Sequence, residues 1–349
     1  MSAIGAIATP TDMSDSSCQC APGIGLVVIV LNYRTAHLTK ECLRSLETEI
    51  SSVPQSRVIV VDNASQDGSA EEIAAAITQH GWESWAMLLP LQNNLGFARG
   101  NNRAFNEIRH GNRFVLLLNS DTVVHPGSLR HCIEVMESDP TIGLMSCAVN
   151  NADGSIQNVA RRFPTPARQI TSALGLPFRL PKLFGWANTE DPSWDRRTTK
   201  RDVQWIGGAF MLARGDMIRQ IGLFDDDFFF YGEDIELCYR AWKNGWRVHF
   251  DPAVSIVHFG GSSSDPTRLP EGQRSIHRWQ ARYLVQRKCY GRFAEWLLRV
   301  TDIANYALRL FVLRVRGAKG QENYQQLAVT FSLLIQIMSH SPSKEPKSI

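Results

Sequence analysis

Residues 26–34 read Leu-Val-Val-Ile-Val-Leu-Asn-Tyr-Arg, an unbroken apolar run that stops on a polar cluster. Successive strand residues point to opposite faces, so a run without polar alternation predicts a strand buried on both sides. Working outward, helix and strand signals alternate. Leu38, Cys42, Leu43 and Leu46 recur at helical spacing, and residues 57–61 read as a second strand. Ser69 with Glu72 three residues on reads as a capping box, opening a helix through Ile73, Ala76 and Ile77 that stops at Gly81. Residues 85–89 are a third strand, Ala104, Phe105 and Ile108 mark the next helix, and residues 114–118 are a fourth strand. Pro126 suits a first helical position, with Leu129, Cys132, Ile133 and Met136 facing inward. Such βα repeats predict an α/β fold with a doubly wound, mostly parallel sheet.

In sheets of this kind ligands bind outside the carboxyl ends of the strands. Each apolar run here ends on polar residues: Asn32-Tyr33-Arg34, Asp62-Asn63, Asn93-Asn94 and Asn119-Ser120-Asp121. Any one of these is adequately explained as a turn. Four in series point to a shared crevice. Residues 149–202 are irregular and rich in Pro, Trp and Arg, as substrate loops and lids often are, with a hairpin turn expected at residues 152–155. Residues 203–213 read as one apolar strand containing Gly207-Gly208.

Residues 228–252, FFFYGEDIELCYRAWKNGWRVHFDP, carry the strongest chemical signal. Ile235, Cys238, Tyr239 and Trp242 stand at helical spacing, so a helix runs from about Asp234 to Asn244-Gly245. Glu233 and Asp234 fall at its start, where the helix dipole favours a carboxylate, although an acid there also serves as an ordinary N-cap. His258 ends the next apolar stretch, just before flexible glycines. A lone histidine there is as readily structural, and it gains meaning only beside Asp121 and the acid pair.

Together these pieces resemble the family 2 glycosyltransferases of the GT-A (Rossmann-like) fold, in the rhamnosyltransferase-like branch. The matching segments are IVLNYR (29–34), VVDNASQDGS (60–69), NNLGFARGNN (93–102), LLNSDTVV (117–124), WIGGAFML (205–212), GLFDDDFFFYGEDIELCYR (222–240) and VHFGGSS (257–263). The resemblance implies an inverting sugar transfer from a nucleotide-diphosphate donor. On it, Asp62, Asn63, Asn32 and Arg34 would hold the nucleoside. Asn94, Gly96, Arg99, Asn102, Asn119 and Ser120 would line the donor. Asp121, with His258, would bind Mn²⁺ or Mg²⁺, although the acidic motif is reduced here to Asn-Ser-Asp. Trp205, Gly207 and Gly208 would lie by the donor sugar and acceptor, with Asp234 as catalytic base and Glu233 beside it. The implied donor is dTDP-L-rhamnose, with UDP-hexoses and galactofuranose as alternatives, and a saccharide or polyprenyl-linked saccharide would accept the sugar.

The remaining features bound this reading. With 349 residues, 44% of them hydrophobic, the chain can bury a sizeable core. Seven scattered cysteines suit free thiols better than a disulfide framework. Residues 1–23 read as a disordered leader, 24–280 as the catalytic domain, 281–340 as a basic amphipathic helical extension and 341–349 as a disordered tail. Residues 268–319 hold twelve basic residues against three acidic ones, a net charge of +9, which leaves −6 for the rest. Phe293, Trp296, Leu297, Val300, Ala304, Leu308, Phe311 and Val315 form a helical stripe within that extension. The stripe suits either packing on the catalytic domain or an anionic membrane surface, with oligomerisation also open. A cytoplasmic protein, peripheral on the inner face of its membrane, is the expectation. No nucleic-acid motif accompanies the charge. A dinucleotide oxidoreductase would need a glycine-rich turn where Asn32-Tyr33-Arg34 stands. A non-catalytic carbohydrate-binding relic would not be expected to keep Asp62, Asp121, Asp234 and His258 together.

Overall fold

The computed structural model describes residues 25–108, 111–191, 193–260, 271–317 and 321–339. The expected leader, the expected tail, Cys18 and Cys20 lie outside them. The strands are β1 (Leu26–Asn32), β2 (Ser56–Asp62), β3 (Ala86–Pro90), β4 (Phe114–Asn119), β5 (Thr122–Val124), β6 (Ile142–Asn150), β7 (Ala160–Arg161), β8 (Arg201–Val203), β9 (Trp205–Ile206), β10 (Phe210–Arg214) and β11 (Arg247–His258). The helices are α1 (Ala36–Ser52), α2 (Ser69–Gln79), α3 (Gly96–Glu107), α4 (Ser128–Ser138), α5 (Pro166–Ala173), α6 (Leu176–Arg179), α7 (Pro181–Phe184), α8 (Gly215–Ile221), α9 (Glu233–Lys243), α10 (Glu271–Tyr290), α11 (Arg292–Val315) and α12 (Glu322–Ser339).

The main sheet runs β3-β2-β1-β4-β10-β6-β11-β5, with β8 also on β11. β1, β2, β3 and β4 are mutually parallel, as are β6 and β11. Leu26 to Val30 are completely buried, so both faces of β1 are covered, as its composition predicts. Register aligns Asn32 with Asp62 and Leu31 with Asn119, which brings three of the polar clusters to one edge.

Several local expectations are corrected. The strand expected over residues 203–213 is two strands broken at Gly207-Gly208: β9 pairs with β7, while β10 inserts antiparallel between β4 and β6. The capping box at Ser69 is not used. Asp67 Oδ1 instead accepts from the Ser69 N–H at 3.1 Å and its hydroxyl at 2.5 Å, and Glu72 pairs with Lys40. Pro126 precedes α4 rather than opening it. The cap is long-range, because the buried Glu49 carboxylate of α1 accepts from Gly127 N (2.6 Å) and Leu129 N (2.8 Å). The hairpin turn at residues 152–155 is present, closed by Asn151 N to Ser155 O at 2.7 Å.

The boundary expected between residues 280 and 281 falls inside α10. Val285 and Cys289 of that helix belong to the main core, and a Cβ on Gly232 would meet Val285 at 2.9 Å. α11 buries Ala294, Leu298 and Asp302, where Arg282 binds the Asp302 carboxylate at 2.7 Å and Tyr283 donates to it at 3.1 Å. The apolar stripe lies largely on the other side: Phe293, Trp296, Val300, Leu308, Phe311 and Val315 are exposed. In the described structure these side chains are left uncovered by the catalytic domain. Among the described residues no helix is long and apolar enough to cross a membrane.

Candidate active site

The β1 and β2 ends form a closed polar knot. Asn32 is fully buried; its amide donates to Asp62 Oδ1 at 2.7 Å, and its Oδ1 accepts from Thr35 and Thr39. Asp62 also accepts from Ser65 Oγ (2.6 Å) and Ser65 N (3.1 Å). Asn32 therefore shapes the loop from behind. Arg34, held at φ 58°, ties to Ser65 through its backbone and guanidinium and stays partly exposed. Thr35 and Ser65, ordinary turn residues in the sequence, complete this network.

Asn63 and Asn94 organise the start of α3. Asn63 donates to Asn94 Oδ1 (2.9 Å) and Gly96 O (3.2 Å) and accepts from Leu95 N (2.9 Å). Gly96 sits at φ 77°, where a Cβ would come 2.4 Å from the Phe229 carbonyl. A side chain is excluded there by both conformation and space. Phe97 N donates to that carbonyl at 2.6 Å. Arg99 Nε binds Asp226 O, and the Asn102 amide is committed to Phe224 and Asp226. These two side chains thus fasten residues 224–226 to α3.

At the β4 end the three polar residues diverge. Ser120 meets Thr35 Oγ1 at 3.2 Å. Pairing of β5 with β11 sets Thr122 opposite His258, which brings His258 Nε2 to 3.2 Å from Asp121 Oδ1 and 3.2 Å from Asn119 Nδ2. Gln157, unremarked in the sequence, fixes the histidine tautomer. Its Nε2 donates to Asn151 Oδ1 (2.7 Å) and His258 O (2.8 Å), so its Oε1 must accept from His258 Nδ1 at 2.8 Å. His258 Nε2 is then an acceptor, engaged by the Asn119 amide and facing Asp121 Oδ1, which is itself buried with no hydrogen-bond partner. Two acceptors this close, with an oriented imidazole, fit a divalent cation between them. Among the described residues no cluster of three or more His, Cys, Asp or Glu forms a fuller ligand set.

The acid pair opens α9, where Gly232 at φ 88° packs under Val285 and Phe228. Asp234 is partly exposed and accepts from Ile235 N at 2.8 Å, and the Gly208 N–H acts on its carboxyl in favour of the charged form. Glu233 is 6% exposed, and its Oε2 has no hydrogen-bond partner. Burial pushes both carboxyls above the usual range, and the charge of Asp234 pushes Glu233 further. The helix dipole therefore does not keep Asp234 low, as its position alone would suggest; burial outweighs it. More backbone N–H groups act on Asp234 than on Glu233, and Glu233 alone is raised by its neighbour's charge, so Asp234 ionises first and Glu233 holds the proton. Gly208 links this end to the cation end, because the next carbonyl, Ala209 O, accepts from Asn119 N at 3.1 Å. Trp205 Nε1 binds Arg162 O at 2.9 Å, and Arg161 lies 5.6 Å over its ring while also acting electrostatically on Asp234.

Comparison with known proteins identifies the family. Residues 22–281 match the family model described as "Glycosyltransferase like family 2". An N-acetylglucosaminyl-diphospho-decaprenol L-rhamnosyltransferase of Mycobacterium tuberculosis is 26% identical over 314 residues, 86% of this chain and 96% of that protein. Rhamnosyltransferase WbbL of Escherichia coli is 30% identical over 173 residues, 47% of this chain and 61% of that protein. Among solved structures, the mannosyltransferase PcManGT of Pyrobaculum calidifontis, in complex with GDP-Man and Mn²⁺, superposes with a TM-score of 0.52 at 18% identity, covering 93% of this chain and 90% of that one. The fold is thus GT-A, and this chain belongs to glycosyltransferase family 2, with rhamnosyltransferases among its relatives.

Proposed function

We propose that this glycosyltransferase transfers L-rhamnose from dTDP-L-rhamnose, with inversion, to a saccharide or polyprenyl-linked saccharide acceptor in cell-surface polysaccharide synthesis. A UDP-hexose or galactofuranose donor is the alternative. The observation that carries the reading is the shared backbone between the two ends of the site: the Gly208 N–H acts on the Asp234 carboxyl, and the next carbonyl, Ala209 O, accepts from Asn119 N beside His258 and Asp121. The names of the Mycobacterium and Escherichia relatives support rhamnose, and the first of them supports a lipid-linked acceptor.

Asp234 takes the proton of the acceptor hydroxyl, whose oxygen bonds to the anomeric carbon as the bond from that carbon to the diphosphate oxygen breaks. The electron pair leaves on the nucleoside diphosphate. Mn²⁺ or Mg²⁺ held by Asp121 and His258 would neutralise charge on that leaving group. Glu233, protonated, keeps a second negative charge away from the base. A donor screen by thermal shift with Mn²⁺ tests the reading, with dTDP-L-rhamnose expected to stabilise most. In the same screen Asp121→Ala should abolish the metal-dependent part of the shift. An undiminished shift in that variant would remove Asp121 from the cation site. The outward stripe of α11, in a basic segment, supports a peripheral position on an anionic membrane surface.

A further inference from the structure

A second polar site lies along the segment that leads away from Gln157. A cavity of about 130 Å³ is lined by Arg161, Arg162, Arg168, Arg201, Asp191 and Asp202, with Trp194 behind them. That is far above the ~10–15 Å³ needed by one water. Its charges do not balance. Asp202 is engaged by Arg247 and His249, Asp191 is shared between Arg162 (2.9 Å) and Arg201 (3.2 Å), and Arg161 meets Glu190 at 3.6 Å. Arg168 has neutral oxygens for partners: Phe163 O at 3.0 Å, Trp186 O at 3.3 Å and Gln204 Oε1 at 3.5 Å. Burial and the neighbouring charge of Arg162 both act against its ionisation. Four guanidinium groups around a cavity, one with no carboxylate, make a built receptor for a doubly charged oxyanion.

The surroundings add a second property. Past Arg168 the chain turns through α6 and α7, leaving Leu174, Phe178, Leu180, Leu183 and Trp186 exposed, Phe178 by 92%. Residues 166–187 contain no acidic residue but carry Arg179 and Lys182. α11 adjoins this apron, since Asn305 Nδ2 donates to Ala173 O at 2.6 Å. The cationic cavity thus lies between Arg161, which acts on Asp234, and an exposed apolar shelf.

We infer that this cavity binds the phosphate or diphosphate of an acceptor whose sugar reaches Asp234 and whose apolar chain lies along the shelf of residues 174–186. The inference rests on the glycosyltransferase reading but can fail separately from it, because its test needs neither donor nor metal. The full chain is titrated in EDTA with geranylgeranyl diphosphate and with inorganic diphosphate. Geranylgeranyl diphosphate should bind more tightly, and Arg168→Gln or Arg162→Gln should weaken both probes by about 10–100-fold, as loss of a charged hydrogen bond does. Arg168→Lys should restore most of the affinity. Phe178→Ser with Leu183→Ser, at exposed positions that do not threaten folding, should weaken the prenyl probe alone. Two results would overturn the assignment. In one, Asp121→Ala abolishes binding and the arginine variants leave it intact, which moves the diphosphate to the donor site. In the other, the arginine variants detach the protein from phosphatidylglycerol vesicles with both titrations unchanged, which makes the cavity a headgroup contact.

Discussion

Gln157→Leu nearly keeps the volume of the side chain but removes what orients His258. The lost contacts are the 2.8 Å bond to His258 Nδ1 and the two donated bonds, to Asn151 Oδ1 and His258 O. Without them the imidazole is free to rotate or to place its proton on Nε2, and then a donor rather than a lone pair faces Asp121. Loss of such an outer partner typically costs about 10–100-fold in metal affinity, or roughly 1.4–2.8 kcal/mol. The half-saturating Mn²⁺ concentration for turnover, at saturating donor, should therefore rise by that factor. Turnover at saturating Mn²⁺ should recover to within about threefold, since the acid pair is untouched. If the variant stays folded with an unchanged Mn²⁺ requirement, the orienting role of Gln157 is wrong, and with it the argument for His258 as a ligand.

Two further outcomes follow from burial. Glu233 has a raised folded pKa, so the native state holds a proton that the unfolded chain releases, and stability falls as pH rises above the ordinary carboxylate range. Glu233→Gln should raise the melting temperature more at pH 8 than at pH 5, and an equal effect at both would contradict the assignment. On α11, Leu308→Ser, Phe311→Ser and Val315→Ser alter exposed positions, so together they should change melting little while weakening sedimentation with phosphatidylglycerol vesicles. Unchanged sedimentation would reject the membrane face.

Much of this architecture is legible from burial patterns alone. Residues 26–31 and 114–118 announce themselves because a strand covered on both faces tolerates no polar residue. Strand direction leaves no such trace, which is why β10 reads as one more apolar run though it lies antiparallel. Caps are legible only when local. Asp67 lies two residues from its donor, whereas Glu49 reaches α4 from 78 residues away. The α11 stripe is visible as a period, but periodicity does not say which face is wet, and here Arg282 and Tyr283 claim the Asp302 side. In the site, Asp121, Asp234 and His258 are singled out by motif. Gln157 is not, because its contact to His258 spans 101 residues from an irregular stretch. The arginine cavity is hidden for the same reason, its members being distributed from Arg161 to Arg201.

The assignment of Asp234 as the base is tested most directly by comparing Asp234→Asn with Glu233→Gln for sugar transfer and for donor affinity, across pH. Loss of the proton acceptor in Asp234→Asn should lower turnover by about 10²–10⁴-fold while donor affinity hardly moves. Glu233→Gln should retain turnover, with the acidic limb of its pH profile in place, because Glu233 is already neutral where Asp234 ionises. Turnover kept by Asp234→Asn and lost by Glu233→Gln would contradict the account and transfer the proton to Glu233.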